Sequence, residues 1–221
     1  MKELATKKDN LNNQEELVPK HIAIIMDGNR RWANKKNIPA TLGHREGVQT
    51  LKKIVRYSHT LGVKFLTVYA FSTENWNRKK DEVDFLMVLL QEAIKNELEE
   101  LCSENVKLKF IGLCNELPQP LPEIIKTATE KTKNNSGLSL QVALNYGSKL
   151  EITNAVKEIT KEVLAKELKI EDITPETIDK HLFTSGIPDP ELVIRTGGEF
   201  RLSNYLLWQS AYSEFYSTEA L

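Results

Sequence analysis

Four short segments of this chain combine carboxylates, guanidinium groups, amides and glycines in ways that suit phosphate or metal binding. They are Asp27-Gly28-Asn29-Arg30-Arg31, Ser72-Thr73-Glu74-Asn75-Trp76, Asn145-Tyr146-Gly147 and Arg195-Thr196-Gly197-Gly198. In the first segment the carboxylate suits a hard cation, and the neighbouring amide and guanidinium groups suit phosphate oxygens. The segment therefore predicts a magnesium diphosphate site. Taken alone, such a run more often means a turn capped by Asp27, with its arginines in solvent.

The segment that begins at Arg195 predicts a second anion site. Arg195 and Arg201 supply guanidinium groups, and Ser203 supplies a hydroxyl, around glycines that let the backbone approach a ligand closely. A surface turn with salt-bridged arginines is the alternative. It is the weaker interpretation because Arg195 ends an apolar run, where a solvated charge would be unusual.

Two further side chains are candidates for the same chemistry. His44 follows Gly43 at the start of a helical pattern, where its ring can donate to an anion, although such a histidine is usually a cap or a surface residue. Glu214 lies among aromatic residues, where a carboxylate is costly unless it is paired or bound to a metal. An arginine partner is the simpler explanation for Glu214.

Runs rich in Val, Ile and Leu lead into the four polar segments, as is typical of strands covered on both faces. The predicted strands are residues 21–26, 64–71, 106–111, 138–145 and 191–195. The predicted helices are residues 43–61, 83–101, 123–133, 148–166 and 175–182. Their alternation predicts an α/β fold, a single domain with a central, mostly parallel β-sheet flanked by helices. Because the carboxyl ends of parallel strands share one edge, the polar segments should converge there.

The helix predicted over residues 83–101 is apolar on more than one face, with an unbroken apolar run from Phe85 to Leu90. A helix of this kind lies deep in a core or lines an apolar cavity. The core is the commoner case. A long hydrocarbon substrate, however, would need such a wall.

Length and composition indicate a cytoplasmic protein without a polyanionic partner. The chain has 221 residues, and 30 Lys and Arg against 31 Asp and Glu give a net charge of −1, which argues against nucleic acid binding. Residues 1–18 are predicted to be disordered and residues 19–221 to form the domain, with no signal peptide and no transmembrane segment. Cys102 and Cys114 predict neither a disulfide framework nor a zinc site.

These motifs together resemble the cis-prenyltransferase family, of which bacterial undecaprenyl diphosphate synthases are typical. The resemblance runs from His21 to Glu214 and is carried, in the family's order, by HIAIIMDGNRRWA, GHREG, YAFSTENWNR, ALNYGSK and LVIRTGGEFRLSNYLLWQSAYSE. It implies a fold with a hydrophobic tunnel and a Mg²⁺-dependent homodimer. The implied reaction condenses an allylic diphosphate, usually farnesyl diphosphate, with isopentenyl diphosphate in the cis configuration. The implied product is a long-chain polyprenyl diphosphate of the undecaprenyl type, a lipid carrier precursor for cell-wall synthesis that is delivered to the membrane.

The resemblance also assigns roles to single residues. Asp27 matches the catalytic carboxylate and magnesium contact, and Glu214 matches a second magnesium ligand. Asn75 stands where the family assigns proton removal; since a neutral amide is a poor base, we expect it to orient substrate while a released diphosphate or another group takes the proton. The residues that match the allylic diphosphate site are Gly28, Asn29, Arg30, Arg31, Trp32 and His44. Those that match the adjacent substrate segment are Ser72, Thr73, Glu74, Trp76 and Arg78, and those that match the isopentenyl diphosphate site are Arg195, Arg201, Leu202 and Ser203.

The sequence departs from the family pattern at three places. Ala40 occupies the position of an arginine four residues before His44, so either a nearby basic side chain reaches the pocket or the allylic substrate binds more weakly. Leu113 stands where the family commonly has aspartate. Family members usually continue past the position of Leu221 into an arm with a basic RxG-like motif, so this arm is expected to be absent, at a cost to activity and dimer contact. The basic residues near Ala40 are Lys35, Lys36 and Arg45.

Two alternatives compete with this interpretation. The first is a non-catalytic or impaired partner subunit of the same fold; such subunits tend to lose the metal carboxylate, whereas Asp27, Asn75 and Arg195 are present. The second is a nucleotide-binding enzyme, since phosphate loops at strand ends occur in many α/β proteins. The sequence contains neither GxxxxGKS/T nor GxGxxG. It also lacks the DDxxD pair of trans-type prenyl synthases, so Asp81 and Asp84 are not interpreted in that way.

Overall fold

Six parallel strands form the central sheet of the computed structural model, which describes residues 18–221. They are β1 (His21–Ile25), β2 (Phe65–Ser72), β3 (Lys107–Ile111), β4 (Ser139–Tyr146), β5 (Leu192–Arg195) and β6 (Glu214–Ser217). The strand order is β3-β4-β2-β1-β5-β6, and every pairing is parallel. The α/β fold with a parallel sheet is therefore confirmed. The segment predicted to be disordered, residues 1–18, lies outside the described residues except for residue 18.

Helices flank this sheet. They are α1 (Asn29–Lys35), α2 (Ala40–Leu61), α3 (Lys80–Ser103), α4 (Leu121–Thr132), α5 (Ser148–Leu164) and α6 (Pro175–His181). Short 3₁₀ helices cover Thr73–Asn77, Cys114–Glu116 and Ile170–Asp172. All the predicted strands and helices are present, with their ends shifted by a few residues. Between residues 18 and 221, no helix is long and apolar enough to cross a membrane.

The sequence patterns missed α1 and β6, each for a physical reason. Helix α1 buries only Ala33, so it has no apolar stripe to reveal its period. Strand β6 is four residues long and lies at the edge of the sheet, where its side chains are exposed or half-buried. An exposed edge strand does not need the Val, Ile and Leu run that marks the central strands.

The strand order reverses beside β1. From β1 the chain moves to β2 on one side, and after β4 it crosses back to place β5 on the other side of β1. In open α/β sheets, ligands bind in the crevice at such a reversal, outside the carboxyl ends of the strands. Strands β1, β2 and β5 end at Ile25, Ser72 and Arg195, so three of the polar segments begin at this crevice.

Apolar side chains cover both faces of the sheet because successive strand residues point in opposite directions. In β1, Ile24 faces a cluster that includes Val55 of α2 and Leu98 of α3. Ala23 and Ile25 face the opposite cluster, which is rich in tyrosines and in residues from the later part of the chain. The sheet is thus a rigid layer whose carboxyl edge carries the polar residues.

An apolar cavity of about 170 Å³ lies between α2, α3 and the sheet. The apolar helix α3 divides its side chains between two environments. Val83 and Met87 pack in a core cluster with residues of α4, whereas other apolar side chains of α3 line the cavity. Both alternatives given for this helix, core packing and a cavity wall, are therefore present. Its apolar residues include Val48 and Leu51 of α2, Leu86, Leu90 and Ile94 of α3, and Ala70 of β2.

Candidate active site

Asp27 lies at the carboxyl edge just after β1, held between two guanidinium groups. Its Oδ2 accepts a hydrogen bond from Arg195 Nη2 at 2.9 Å, and its Oδ1 lies 3.0 Å from Arg31 Nη2. Burial alone would raise the pKa of the Asp27 carboxyl, but the hydrogen bonds from Arg195 and Arg31 outweigh it and hold that pKa below its ordinary value. Asp27 is therefore ionised at neutral pH. Its side chain stays 32% exposed, within reach of a ligand.

The loop after β5 fixes the backbone of Asp27. Thr196 Oγ1 accepts a hydrogen bond from the Asp27 N–H at 2.9 Å and donates one to the Asp27 carbonyl oxygen. Gly197 follows with a φ of 86°, and a Cβ at that position would lie only 2.4 Å from Arg31 Nη2. The Gly197 carbonyl oxygen also accepts a hydrogen bond from Arg31 Nη1. Glycine suits this position because side chains rarely adopt that φ, whereas the arginine end could move aside.

Arg195, the last residue of β5, is almost fully buried. Its side chain is 5% exposed, and its Nη1 donates to the carbonyl oxygen of Arg201 and to Ser203 Oγ, the latter at 2.6 Å. Its buried Nε has no hydrogen-bond partner among the described residues. A buried donor without an acceptor is unfavourable. The Nη groups of Arg195 are thus fixed between Asp27 and Ser203.

Glu82, in the first turn of α3, gathers three nitrogen-bearing side chains at the cleft. Its carboxylate oxygens lie 2.9 Å from Arg78 Nη1, 3.7 Å from Arg30 Nη1 and 3.4 Å from His44 Nε2. Burial would raise the pKa of Glu82, but Arg78 and Arg30 outweigh it and the pKa is lowered. Burial lowers the pKa of the His44 imidazole, so this ring is neutral at neutral pH and carries one N–H donor.

The 3₁₀ helix after β2 holds Asn75 in a capping box. Asn75 Oδ1 accepts the backbone N–H of Ser72 at 3.1 Å, and the Ser72 side chain accepts the backbone N–H of Asn75 in return. Trp76 Nε1 donates to Asn145 Oδ1 at 2.8 Å, and its ring packs edge-on to Phe71. The Asn75 amide oxygen is thus already engaged, which favours an orienting role over that of a base.

Nine of the predicted site residues come together in one polar cleft of about 570 Å³. They are Asp27, Asn29, His44, Ser72, Glu74, Asn75, Arg78, Arg195 and Ser203. An adjoining recess is lined by Gly28, Arg30 and Arg31, again with Asp27. The remaining predicted site residues line neither the cleft nor this recess. They are Trp32, Thr73, Trp76, Arg201, Leu202 and Glu214.

Several of these outlying residues have other contacts in the structure. The Trp32 ring lies under Lys36 Nζ, 4.2 Å from the ring centroid. The Arg201 guanidinium pairs with Glu199, and only the Arg201 carbonyl oxygen reaches Arg195. Leu202 packs against the core cluster that faces Ala23 and Ile25 in β1. These residues therefore support the cleft without lining it.

Glu214 departs most from its expected place. It is the first residue of β6 and pairs in register with Leu192, the first residue of β5, whereas Arg195 pairs with Ser217. Because β5 and β6 are parallel, Glu214 lies at the amino edge of the sheet, opposite the edge that carries Asp27. Within one chain, Glu214 and Asp27 therefore lie at opposite edges of the sheet, and the role of Glu214 as a magnesium ligand stays a prediction.

The polar cleft and the apolar cavity are continuous. They share the lining residues Met26, Asn29, His44, Ala70 and Leu86. Cationic and amide groups therefore lie on one side of this boundary and a hydrocarbon-like wall on the other. Such a site matches a ligand with a charged head and an apolar tail.

The cleft offers a single strongly placed carboxylate for a metal ion. Among residues 18–221, no three His, Cys, Asp or Glu side chains are grouped to hold a metal. Mg²⁺ does not need such a group, since it is usually bound by one or two carboxylates together with substrate phosphates and water. The ionised, partly exposed Asp27 fits that pattern.

Sequence reasoning missed four residues of the site. Glu82 could have been predicted, since it stands four residues after Arg78 at a helix start, and side chains at that spacing can form an ion pair. The hydroxyl of Thr196 holds the backbone of Asp27, and Asn204 holds Glu74 through its Nδ2 at 2.8 Å. Tyr69 lines the cleft from within β2. These last three depend on contacts between elements far apart in sequence, which no local pattern reveals.

Ala40 is the first residue of α2 and precedes His44 by four positions, so both lie on the same face of the helix. Two basic side chains that could replace the missing arginine have other partners. Lys36 lies over Trp32, and Arg45 Nη2 is 3.3 Å from a Glu92 carboxylate oxygen. An open position for a cation remains one turn before His44.

The chain is similar to known proteins in both sequence and structure. Residues 25–221 match the family model described as "Putative undecaprenyl diphosphate synthase". An isoprenyl transferase of Clostridium perfringens is 49% identical over 224 residues, covering 99% of this chain and 88% of that protein. A Micrococcus luteus protein named ditrans,polycis-undecaprenyl-diphosphate synthase ((2E,6E)-farnesyl-diphosphate specific) is 51% identical over 214 residues, covering 97% of this chain and 85% of its own. The crystal structure of lavandulyl diphosphate synthase from Lavandula x intermedia with dimethylallyl diphosphate superposes with a TM-score of 0.91 at 37% identity, covering 93% of this chain and 89% of that one.

Proposed function

The chain belongs to the undecaprenyl diphosphate synthase family of prenyltransferases, and on that premise we propose that it elongates an allylic diphosphate with isopentenyl diphosphate in the cis configuration. The primer is farnesyl diphosphate, as the name of the Micrococcus luteus relative suggests, and the product is a long-chain polyprenyl diphosphate. The observation that carries this proposal is the continuity of the polar cleft with the apolar cavity. A diphosphate head and a growing hydrocarbon need both environments at once.

The residues of the cleft and the recess have separate roles in the proposed condensation. The allylic carbon–oxygen bond breaks, the diphosphate leaves, a carbon–carbon bond forms to isopentenyl diphosphate, and one proton is lost. Arg30, Arg31 and Arg78 line the recess that receives the leaving diphosphate and neutralise its developing charge, while neutral His44 donates a hydrogen bond. Asn75 orients substrate because its oxygen is engaged by Ser72. The released diphosphate accepts the proton.

Magnesium would be held by Asp27 together with diphosphate oxygens. When bound, the ion would neutralise charge on the diphosphate during its departure. Arg195 keeps Asp27 oriented and ionised. We place isopentenyl diphosphate beside Arg195 and Ser203 and the allylic diphosphate beside Arg30, Arg31 and His44.

The protein is proposed to work as a homodimer. Phe200, Tyr212 and Tyr216 expose their aromatic side chains, the last of them on the edge strand β6. Exposed apolar groups beside an unpaired sheet edge are typical of association surfaces. Light scattering of the purified chain, coupled to size-exclusion chromatography, gives its mass in solution and tests this assignment.

The activity test uses the purified chain with farnesyl diphosphate, radiolabelled isopentenyl diphosphate and MgCl₂. We expect label to enter butanol-extractable product, and chelation with EDTA to abolish incorporation. Mass analysis of the product gives its chain length. No incorporation by the chain alone, but incorporation after addition of a catalytic homologue, would instead establish the non-catalytic partner subunit.

Replacing Glu82 with glutamine is expected to raise the KM for farnesyl diphosphate about tenfold with a smaller effect on kcat, because Arg78, Arg30 and His44 lose the charge that orients them. Initial rates at varied farnesyl diphosphate measure the change. The matched control is Asp81→Asn, which removes a carboxylate from the neighbouring position of α3. Equal KM values for the two variants would contradict the role of Glu82.

Introducing arginine at Ala40 is expected to lower the KM for farnesyl diphosphate about threefold to tenfold, since a guanidinium one turn before His44 adds a cation to the allylic pocket. The control is Ala40→Met, which adds length without charge. Steady-state kinetics of both variants separate the two contributions. An unchanged or higher KM for Ala40→Arg would show that this face of α2 does not reach the diphosphate.

A further inference from the structure

Helix α5 begins without a side-chain cap of its own. The residue before it is Gly147, which has no side chain to accept the first backbone N–H groups of the helix. The Ser148 N–H donates instead to the backbone carbonyl oxygen of Asn204 at 2.8 Å, and the Lys149 N–H donates to Asn204 Oδ1 at 2.9 Å. Asn204 therefore caps α5 from a distant segment, in the way that a local asparagine caps its own helix.

The cap also fixes the orientation of the Asn204 amide. A backbone N–H can only donate, so the atom that faces Lys149 is the amide oxygen, and the amide nitrogen points away from α5. That nitrogen donates to Glu74 Oε1 at 2.8 Å. Burial would raise the pKa of Glu74, but the hydrogen bond from Asn204, together with others, outweighs it and lowers that pKa, so Glu74 is ionised at neutral pH. One side chain thus joins α5 to the 3₁₀ helix that carries Asn75.

The backbone around Asn204 has a conformation that side chains rarely adopt. Ser203, Asn204 and Leu206 have left-handed φ angles of 50°, 62° and 44°. Asparagine tolerates such an angle better than serine or leucine does, and the conformation costs free energy unless its surroundings hold it. Ser203 Oγ accepts a hydrogen bond from Arg195 Nη1 at 2.6 Å. The path of this backbone therefore determines where the hydroxyl of Ser203 meets the guanidinium of Arg195.

We propose that Asn204 is a positioning residue for the second substrate, which anchors its loop to α5 and to Glu74 and so holds the Ser203 hydroxyl against Arg195; this rests on the proposed prenyltransferase function. A loop without the anchor can relax from its left-handed conformation, and the hydroxyl and the guanidinium then no longer meet isopentenyl diphosphate together. The allylic recess is lined by residues that follow β1 and by others of α1 and α2, such as Arg30 and His44. Loss of the anchor should therefore weaken binding of isopentenyl diphosphate and spare that of farnesyl diphosphate.

The main test is Asn204→Asp, which keeps an acceptor for the Lys149 N–H but places a carboxylate against that of Glu74. Initial rates are expected to show a KM for isopentenyl diphosphate raised about tenfold, a KM for farnesyl diphosphate that is unchanged and a smaller effect on kcat. The double variant Asn204→Asp/Glu74→Gln should recover most of the loss, because the new amide can donate to the new carboxylate. Glu74→Gln alone gives the reference for this rescue.

Asn105 offers a matched control at the opposite edge of the sheet, just before β3. It also has a left-handed φ, 57°, and its amide also ties two segments, accepting the Ser136 N–H at 3.0 Å and donating to Ser136 Oγ at 3.2 Å. Asn105→Ala and Asn204→Ala should both lower the temperature of thermal unfolding. Only Asn204→Ala should raise the KM for isopentenyl diphosphate, whereas a merely structural role of Asn204 would leave that KM unchanged in both variants.

A binding measurement tests the same role without catalysis. Isopentenyl diphosphate is titrated calorimetrically against each protein in the presence of MgCl₂ and farnesyl thiolodiphosphate, a non-reactive analogue of the allylic substrate. The wild type should bind isopentenyl diphosphate about tenfold more tightly than Asn204→Asp does, and Asn105→Ala should match the wild type. If the wild type binds but forms no product, the proposed function fails, while this titration still decides the role of Asn204.

An unchanged KM together with an unchanged Kd for isopentenyl diphosphate in a folded Asn204→Asp variant would overturn the proposal. An equal rise in the KM values of both substrates, or no binding of isopentenyl diphosphate by the wild type, would also overturn it. Circular dichroism establishes the folded state. Should Asn204→Asp fail to fold, Asn204→Gly takes its place, since glycine suits the left-handed φ and removes only the side chain. The same shift is then expected, and its absence counts against Asn204.

Discussion

Replacing Asp27 with asparagine should lower kcat about a thousandfold, while the amide keeps the shape of the side chain. The carboxylate is the single group that the two flanking guanidiniums hold ionised at the cleft, and it is the group proposed to contact magnesium. Initial rates with saturating farnesyl diphosphate, isopentenyl diphosphate and MgCl₂ measure the loss. The comparison variant is Asp84→Asn, which removes an exposed carboxylate paired with Lys80 and should retain wild-type kcat.

The same substitution has a signature in stability. Asp27→Asn leaves Arg195 buried without an anion, so we expect the free energy of unfolding to fall by about 1–2 kcal/mol, a value discounted for the partial exposure of Asp27. Because the folded-state pKa of Asp27 is lowered, its contribution is present above the ordinary carboxyl pKa and is lost as pH falls through the folded value. Urea unfolding at several pH values should show the difference from wild type shrinking on acidification. A kcat within a few fold of wild type would remove Asp27 from the mechanism.

Replacing Arg195 with lysine should reduce kcat/KM for isopentenyl diphosphate about a hundredfold even though the charge is kept. The guanidinium reaches Asp27, Ser203 and the carbonyl oxygen of Arg201 at once. An ammonium group cannot contact all three at these distances. Steady-state kinetics at fixed, saturating farnesyl diphosphate isolate the effect on the second substrate.

Arg45→Lys is the matched control for this prediction, because Arg45 forms an exposed pair with Glu92 away from the polar cleft. Thermal unfolding of both variants separates loss of activity from loss of folded protein. If Arg195→Lys loses no more activity than Arg45→Lys, then a positive charge at position 195 is sufficient for binding isopentenyl diphosphate. The precise fork of hydrogen bonds described for this residue would then have no part in substrate binding.

The sequence was informative where burial imposes a pattern. The central strands are rich in apolar residues because both of their faces are covered, and their carboxyl ends placed Asp27, Ser72 and Arg195 at one edge correctly. Glu82 went unrecognised because a glutamate in the first turn of a helix is ordinary, and only its contacts with Arg30 and His44 distinguish it. Local pattern carries little information about contacts between distant elements.

Glu214 is a second residue whose place in the fold could not be predicted from the local sequence. Its aromatic surroundings suggested a carboxylate that needs a partner, but Glu214 is exposed on the edge strand. The resemblance to a family does not say at which end of a strand a residue lies. The register of β6 on β5 determines the end at which Glu214 lies, and β6 is too short to be recognised as a strand from the sequence. Trp76 likewise belongs to one of the four polar segments, yet it packs on Phe71 and hydrogen bonds to Asn145.

The pairing of Asp27 with Arg195 also has a consequence for how the molecule assembles. The two residues are separated by 168 positions, and they meet only when β5 docks beside β1. Closing so long a loop is entropically costly, so contacts of this kind form late in folding. A nascent chain can already have β1 to β4 and the apolar cavity while its charged centre is incomplete. The proposed site for isopentenyl diphosphate, beside Arg195 and Ser203, is therefore completed only when β5 joins the sheet, after the residues of the allylic diphosphate recess are already in place.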